Sequence, residues 1–287
     1  MKQNNTTQNP LLENFNNYPF ISISLPTGGV FYDSSILDES VDPMEFEVGP
    51  FTMWDEVNWN NPYAIMSGKA TNNIIKNVTQ GVKNIDELCA VDIEAIFIAS
   101  RQVSYGNIIE MDVTCENEEC KKSSKISVRL DAVLLQYKNM GNLEQWQVEM
   151  PNGQVVQLKP VRYKDLIEFI KIAIEHKRKL EAGGDAEKLE EGFMEQMIEQ
   201  QVNMMRCSVM YVQSASGVVV NNRQHINEWL DNLPSSWFKE IKEKSQEINE
   251  YNSRSGSVEH VCPYCEHKQL VNVIVDPTRF FGPASVA

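Results

Sequence analysis

The cysteine pattern constrains this chain more than any other feature of its sequence. Cys115 and Cys120 form one pair, and Cys262 and Cys265 form a second, each flanked by segments in which apolar and polar residues alternate. Two thiol pairs on tight turns supply the four sulfur ligands of a tetrahedral zinc site, and four thiolates close its coordination sphere. The sequence therefore predicts one structural zinc ion per chain, held by these four cysteines.

Other interpretations of the two pairs remain open at this point. A C-x-x-C motif such as 262–265 also fits a redox pair, but redox motifs normally open a helix, and residues 270–275 have the alternation of a strand. Either pair also fits buried thiols that have nothing to do with each other. His260 and His267 flank the second pair and are alternative ligands if a cysteine of the first pair lies too far away.

The remaining cysteines and the N-terminus bear on where the protein is made. Residues 1–10 are polar and lack the apolar stretch of a secretory signal, and no apolar run approaches the length that crosses a bilayer. We therefore expect a soluble protein made inside the cell, where disulfides are rare. Cys89 and Cys207 lie in apolar helical stripes, and core packing is the better interpretation for both.

The charge and the motif content argue against several functions. The formal net charge is −14, and nucleic-acid affinity depends on Lys and Arg that neutralise phosphates. The densest basic run, 177–179, is short and lies between Glu175 and Glu181. We find no phosphate loop after Gly28 and no catalytic constellation, so we expect neither an enzyme nor a small-molecule substrate. A zinc-ribbon nucleic-acid-binding or transcription-type factor remains the alternative function.

Local signals divide the chain into regions. The fold class predicted is α+β, with a zinc-ribbon-like β unit split by a helical insertion and preceded by an N-terminal α+β unit. The expected regions are a flexible or partner-bound arm (1–20), the N-terminal α+β unit (21–107), the first zinc knuckle and β-hairpins (108–160), the helical insertion (161–252), and the second zinc knuckle, strand and aromatic tail (253–287).

Particular residues predict where elements begin and turn. Thr52 is the expected N-cap of one helix, with Asp55 three residues on as an imperfect capping box, and Asp92 is the expected N-cap of another helix. Asn152–Gly153 predicts a tight β-hairpin, because this dipeptide tolerates positive φ. Pro234 precedes a helix that we expect to run to about Glu250.

Short motifs near both ends of the chain occur in an order found in one protein family. Residues 25–32 read Leu-Pro-Thr-Gly-Gly-Val-Phe-Tyr, and 262–265 read Cys-Pro-Tyr-Cys, with Phe280 and Phe281 further on. These segments resemble the opening motif, closing zinc knuckle and aromatic tail of phage baseplate hub proteins of the T-even type. Further similarities in the same order are Met53, Glu56, Asn61–Pro62, Ser67–Ala70, Asp92, Arg101, Ser104–Gly106, Leu130 and Asp276.

The resemblance covers most of residues 20–135 and 255–285 and carries its own expectations. It implies a protein of a contractile-tail phage, made in the bacterial cytoplasm, that acts in the baseplate hub or in its assembly. The expected partners are other baseplate or tail proteins, without nucleic acid or membrane. The chain departs from the family at Cys115-x₄-Cys120, where C-x₂-C is usual, which leaves the geometry of the first knuckle open.

Aromatic residues at both ends suggest where partners bind. Phe15, Tyr18 and Phe20 lie in the N-terminal arm, and Phe280 and Phe281 lie in the C-terminal tail. Aromatic side chains anchor interfaces because they bury a large area at a small entropy cost. The alternative is that these rings pack onto the core of the protein itself.

Overall fold

The fold is described from a computed structural model, which covers residues 19–183 and 186–273. The aromatic anchors predicted at Phe15, Tyr18, Phe280 and Phe281 lie outside these residues. The α-helices are α1 Met53–Trp59, α2 Pro62–Met66, α3 Lys69–Val78, α4 Ala90–Tyr105, α5 Leu130–Leu134, α6 Tyr163–Glu181, α7 Ala186–Ser208, α8 Arg223–Asp231 and α9 Ser235–Glu250. The strands are β1 Ile21–Ile23, β2 Phe46–Val48, β3 Ile108–Thr114, β4 Ser123–Arg129, β5 Gln147–Glu149, β6 Val155–Leu158, β7 Val209–Gln213, β8 Val219–Val220, β9 Ser257–Val261 and β10 Lys268–Asn272.

The strands form small antiparallel sheets, so the protein is α+β, as predicted. Strand β1 pairs with β2, β3 with β4, and β9 with β10, each as a two-stranded sheet. A four-stranded sheet has the order β5-β6-β7-β8. Strands β7 and β8 lie inside the region expected to be a helical insertion, and β7 pairs with β6. The division of the chain into five regions stays a prediction.

The largest apolar core positions both cysteine hairpins. Helices α3 and α4 supply Ile74 and Ile98, which are fully buried, together with Val48 of β2. Val128 of β4 and Val273, just beyond β10, belong to the same core. Because residues on both cysteine hairpins or next to them enter one core, the turns that carry the thiols start from fixed positions.

A second core lies between the four-stranded sheet and the helices that follow it. Val156 and Val209 contribute from β6 and β7, and Ile226 and Ile241 contribute from α8 and α9. Trp146 is fully buried beside the end of α9, where its ring meets that of Tyr251 at 5.0 Å between centroids. Trp146 and Tyr251 belong to a third apolar cluster, which also contains Phe31, Cys89 and Ile248.

Several local predictions are confirmed. The capping box at α1 is present, with Thr52 and Asp55 bonded reciprocally. The hairpin between β5 and β6 turns at Gly153, whose φ is +79°, a conformation that costs glycine little. Helix α9 begins directly after Pro234 and ends at Glu250, as expected.

The prediction that Asp92 caps a helix is wrong. Helix α4 begins at Ala90 with Cys89 as its N-cap, and Asp92 lies in the first turn, fully buried. The Asp92 carboxylate accepts hydrogen bonds from the Thr27 amide at 2.9 Å and from the Tyr32 hydroxyl. These donors come from the motif at 25–32, which therefore packs against the start of α4. Burial raises the pKa of Asp92 to about 6.

Candidate metal centre

The two cysteine hairpins enter their turns in the same way. Cys115 follows β3 directly, and Cys262 follows β9 directly. The Cys115 amide donates to the Lys122 carbonyl at 3.0 Å, and the Cys262 amide donates to the His267 carbonyl at 2.9 Å. Each acceptor lies two residues beyond the second cysteine of its pair, so equivalent backbone hydrogen bonds close the two turns.

The chain also leaves the two turns in the same conformation, despite their different lengths. The residue after Cys120 is Lys121, with φ 46°, and the residue after Cys265 is Glu266, with φ 60°. Both are in the left-handed region, which side chains other than glycine adopt at some cost. The two additional residues of the C-x₄-C spacing therefore lie between the cysteines and leave the entry and exit of the turn unchanged.

The four thiols that the sequence analysis grouped lie together in space. The Sγ atoms of Cys115 and Cys265 are 3.6 Å apart, and those of Cys120 and Cys262 are 3.8 Å apart. All four Sγ atoms lie within 4.8 Å of one another, and none is in a disulfide. Zinc–sulfur bonds of about 2.3 Å in a tetrahedron place the sulfur atoms about 3.8 Å apart. The donor set therefore fits a zinc ion and could bind a metal.

Gln269, which the sequence pattern did not single out, connects the two hairpins next to the thiols. The Gln269 side chain accepts from the Glu116 amide at 2.9 Å and donates to the Thr114 carbonyl at 3.1 Å. Strand β10 turns Gln269 inward and Leu270 outward, the reverse of the usual pattern. A polar residue at the inward position of an alternating strand was the available signal.

The histidines flanking the second pair are not part of the thiol cluster. His260 Nε2 lies 2.9 Å from the Ser124 hydroxyl, a contact that joins β9 to β4. Among the described residues, the four cysteines lie close enough together to bind one metal ion. Neither His260 nor His267 belongs to this group. The thiols are close enough together that no histidine has to substitute for one of them.

The environment of the thiols makes their acidities unequal. Burial raises the pKa of the Cys115 thiol to about 12. The backbone N–H groups of Tyr264 and Cys265 lower the pKa of Cys262 to about 7, against the effect of burial. Because a metal binds thiolates, loading of all four sulfurs releases protons, and affinity rises with pH.

The remaining cysteines lie away from the cluster. Cys89 is fully buried, in agreement with its expected core position. Cys207 is half-buried, and its Sγ accepts a hydrogen bond from Arg162 Nη2 at 3.1 Å, so it lies at the edge of the core. Strand β10, rather than a helix, follows the second pair, which disfavours the redox interpretation.

The fold and the site together define a mixed α+β protein in which two hairpins, distant in sequence, converge through four cysteines. The chain belongs to the family described as T4 bacteriophage base plate protein, whose model matches residues 36–282. The match confirms the resemblance at the level of a T4-type baseplate protein. Comparison with curated proteins and with solved structures gave no match.

Family membership has consequences for location and contacts. A baseplate protein belongs to the virion tail, and the family indicates interaction with other tail proteins. Within residues 19–183 and 186–273, no helix combines the length and the apolar character needed to cross a bilayer.

Proposed function

We propose that the protein is a structural or assembly component of the baseplate hub of a contractile phage tail. In this role it binds other tail proteins and catalyses no reaction. The observation that carries the proposal is the match of residues 36–282 to the baseplate family. The order of the motifs at 25–32 and 262–265 supports the hub within that family.

A structural zinc ion at Cys115, Cys120, Cys262 and Cys265 is part of this proposal. The Sγ separations of 3.6 and 3.8 Å suit a tetrahedral site. Four thiolates leave no coordination position for water or a substrate, which supports a structural role over a catalytic one. The ion would stabilise the fold by holding the β3–β4 hairpin against the β9–β10 hairpin.

Helix α1 supports binding to other proteins, because its apolar and polar faces are inverted. Asp55 is fully buried and accepts a hydrogen bond from the Asn77 side chain at 2.8 Å. Met53, Trp54 and Val57 are 66%, 65% and 50% exposed. The fold gains little from apolar side chains that it leaves in water, whereas aromatic residues and Met are enriched in protein interfaces.

The location that follows is the bacterial cytoplasm during assembly and the tail baseplate afterwards. The net charge of −14 opposes binding to nucleic acid. A test of the function is to infect the host with a phage that lacks this gene and to examine the tails by electron microscopy. We expect tails or baseplates without a complete hub, and restoration when the wild-type protein is supplied. Normal baseplates in the absence of the protein would contradict the proposal.

A further inference from the structure

The surface of α7 is apolar where a solvated helix is normally polar. Met194, Ile198 and Val202 follow one another at intervals of four residues, so they form one stripe along the helix. They are 51%, 58% and 36% exposed. An exposed row of Met, Ile and Val is not explained by packing within the described residues.

The opposite face of α7 is the one that packs against α6. The Phe193 ring stacks on His176 at 4.1 Å between centroids, and Gln200 Nε2 donates to the Asp165 carbonyl at 3.1 Å. At about 100° per residue, Ile198 is rotated about 140° from Phe193. The stripe therefore faces away from α6, and a helix that is apolar on two sides is expected to lie between two partners.

The charge beside the stripe indicates what can cover it. Glu191, Glu195 and Glu199 are exposed on the same outer face, and the sequence has no Lys or Arg from 190 to 205. A second copy of α7 would bring like charges together, which is unfavourable. The complementary surface has an apolar row flanked by positive charge.

We propose that the outer face of α7 docks an amphipathic helix of another tail protein, with an apolar stripe flanked by Lys and Arg. This inference rests on the proposed function and adds the chemistry of one partner. The stripe from Met194 to Val202 extends about 12 Å along the axis, which is the length that a crossing helix covers. Rows of side chains spaced by four residues pack into the grooves of a second helix at about −50°.

The experiment places a photo-reactive residue, p-benzoylphenylalanine, at position 198 of the full-length protein. The protein is supplied to host cells infected by a phage without its own copy, and cross-linked peptides are sequenced by mass spectrometry. Two further positions serve for comparison. Trp54 lies on the exposed face of α1, and Val218, 61% exposed, is an apolar residue away from α7.

We expect the residue at 198 to cross-link to a segment of another tail protein. That segment should have apolar residues three or four apart, with Lys or Arg beside them. A cross-link to a second copy of this chain, or to a segment without basic residues, would overturn the inference. Cross-links to tail proteins from position 54 but none from 198 would overturn this inference alone. No cross-link to a tail protein from any position would overturn the proposed function as well.

Charge reversal tests the electrostatic part of the inference. Glu195→Lys together with Glu199→Lys should lower the yield of the cross-link from 198 by about tenfold, since two attractive surface pairs become repulsive. Glu240→Lys with Glu243→Lys on α9 makes the same change in net charge elsewhere and should leave the yield unchanged. Equal yields in the two double variants would show that the acidic residues of α7 do not select the partner.

Discussion

Replacing one cysteine of the cluster should remove the contribution of the metal to the contact between the two hairpins. Cys262, which the variant Cys262→Ser replaces, is 1% exposed and directly follows β9. A serine hydroxyl is a poor substitute for a thiolate ligand, so we expect the metal to be lost. The hydrogen bonds of Gln269 and the contact between His260 and Ser124 would then hold the hairpins together.

The magnitude follows from comparing these contacts with the metal. A structural zinc site contributes an apparent binding free energy of about 10–16 kcal/mol, which acts as folding free energy. The two bonds of Gln269 and the contact of His260 contribute about 1 kcal/mol each, or about 3 kcal/mol together. They do not replace the metal, and we expect the free energy of unfolding to fall by at least about 5 kcal/mol. For a chain of this size such a loss lowers the melting temperature by roughly 10–20 °C.

The assay combines metal content with thermal unfolding. Elemental analysis should find about one zinc ion per chain in the wild type. The control variant is Cys207→Ala, because Cys207 is half-buried and outside the cluster. It should keep the metal, whereas Cys262→Ser should contain almost none. Retention of zinc by Cys262→Ser, or an equal melting temperature of the wild-type protein with and without metal, would contradict a structural zinc site.

Three smaller changes test other parts of the structure. Gln269→Ala should lower the free energy of unfolding by about 1–3 kcal/mol, because it leaves the Glu116 amide and Thr114 carbonyl without their partner. The zinc content should stay the same. An unchanged urea midpoint would contradict this prediction. Trp54→Ala should change the free energy of unfolding by no more than about 0.5 kcal/mol, since the side chain is 65% exposed. The variant protein should nevertheless be incorporated less well into phage tails. Full incorporation would show that α1 is not an interface. Burial raises the pKa of Asp92 to about 6, so the native protein retains a proton that the unfolded chain releases. The free energy of unfolding should therefore fall by on the order of 2–3 kcal/mol as pH rises from about 4 to 6, and Asp92→Asn should abolish this slope in urea titrations.

The predictions that succeeded from sequence rest on short-range rules. The Asn152–Gly153 turn and the start of α9 after Pro234 depend on the backbone preferences of a few neighbouring residues. The convergence of the cysteine pairs was also predicted, because the chemistry of a closed metal site requires it. In each case the information lies within a few residues or in a ligand set.

The features that sequence did not predict depend on contacts between distant residues. Asp92 has the composition of an N-cap, but Thr27 and Tyr32 reach it from more than fifty positions away and bury it inside the helix. The inward position of Gln269 depends on its bonds to the other hairpin. Pairing of β7 with β6 likewise crosses the length of two helices. Tertiary contacts of this kind override local propensity.

The separation of the two hairpins in sequence also determines when the four thiols become available during translation. Cys120 and Cys262 are 142 positions apart. At about 5–20 residues per second, a ribosome takes roughly 7–30 s to travel between them. During that interval the first pair offers a metal only two thiols, and a chain whose synthesis stops early keeps that half-site open. Completion of the proposed coordination sphere would thus mark a polypeptide that has been translated past Cys265.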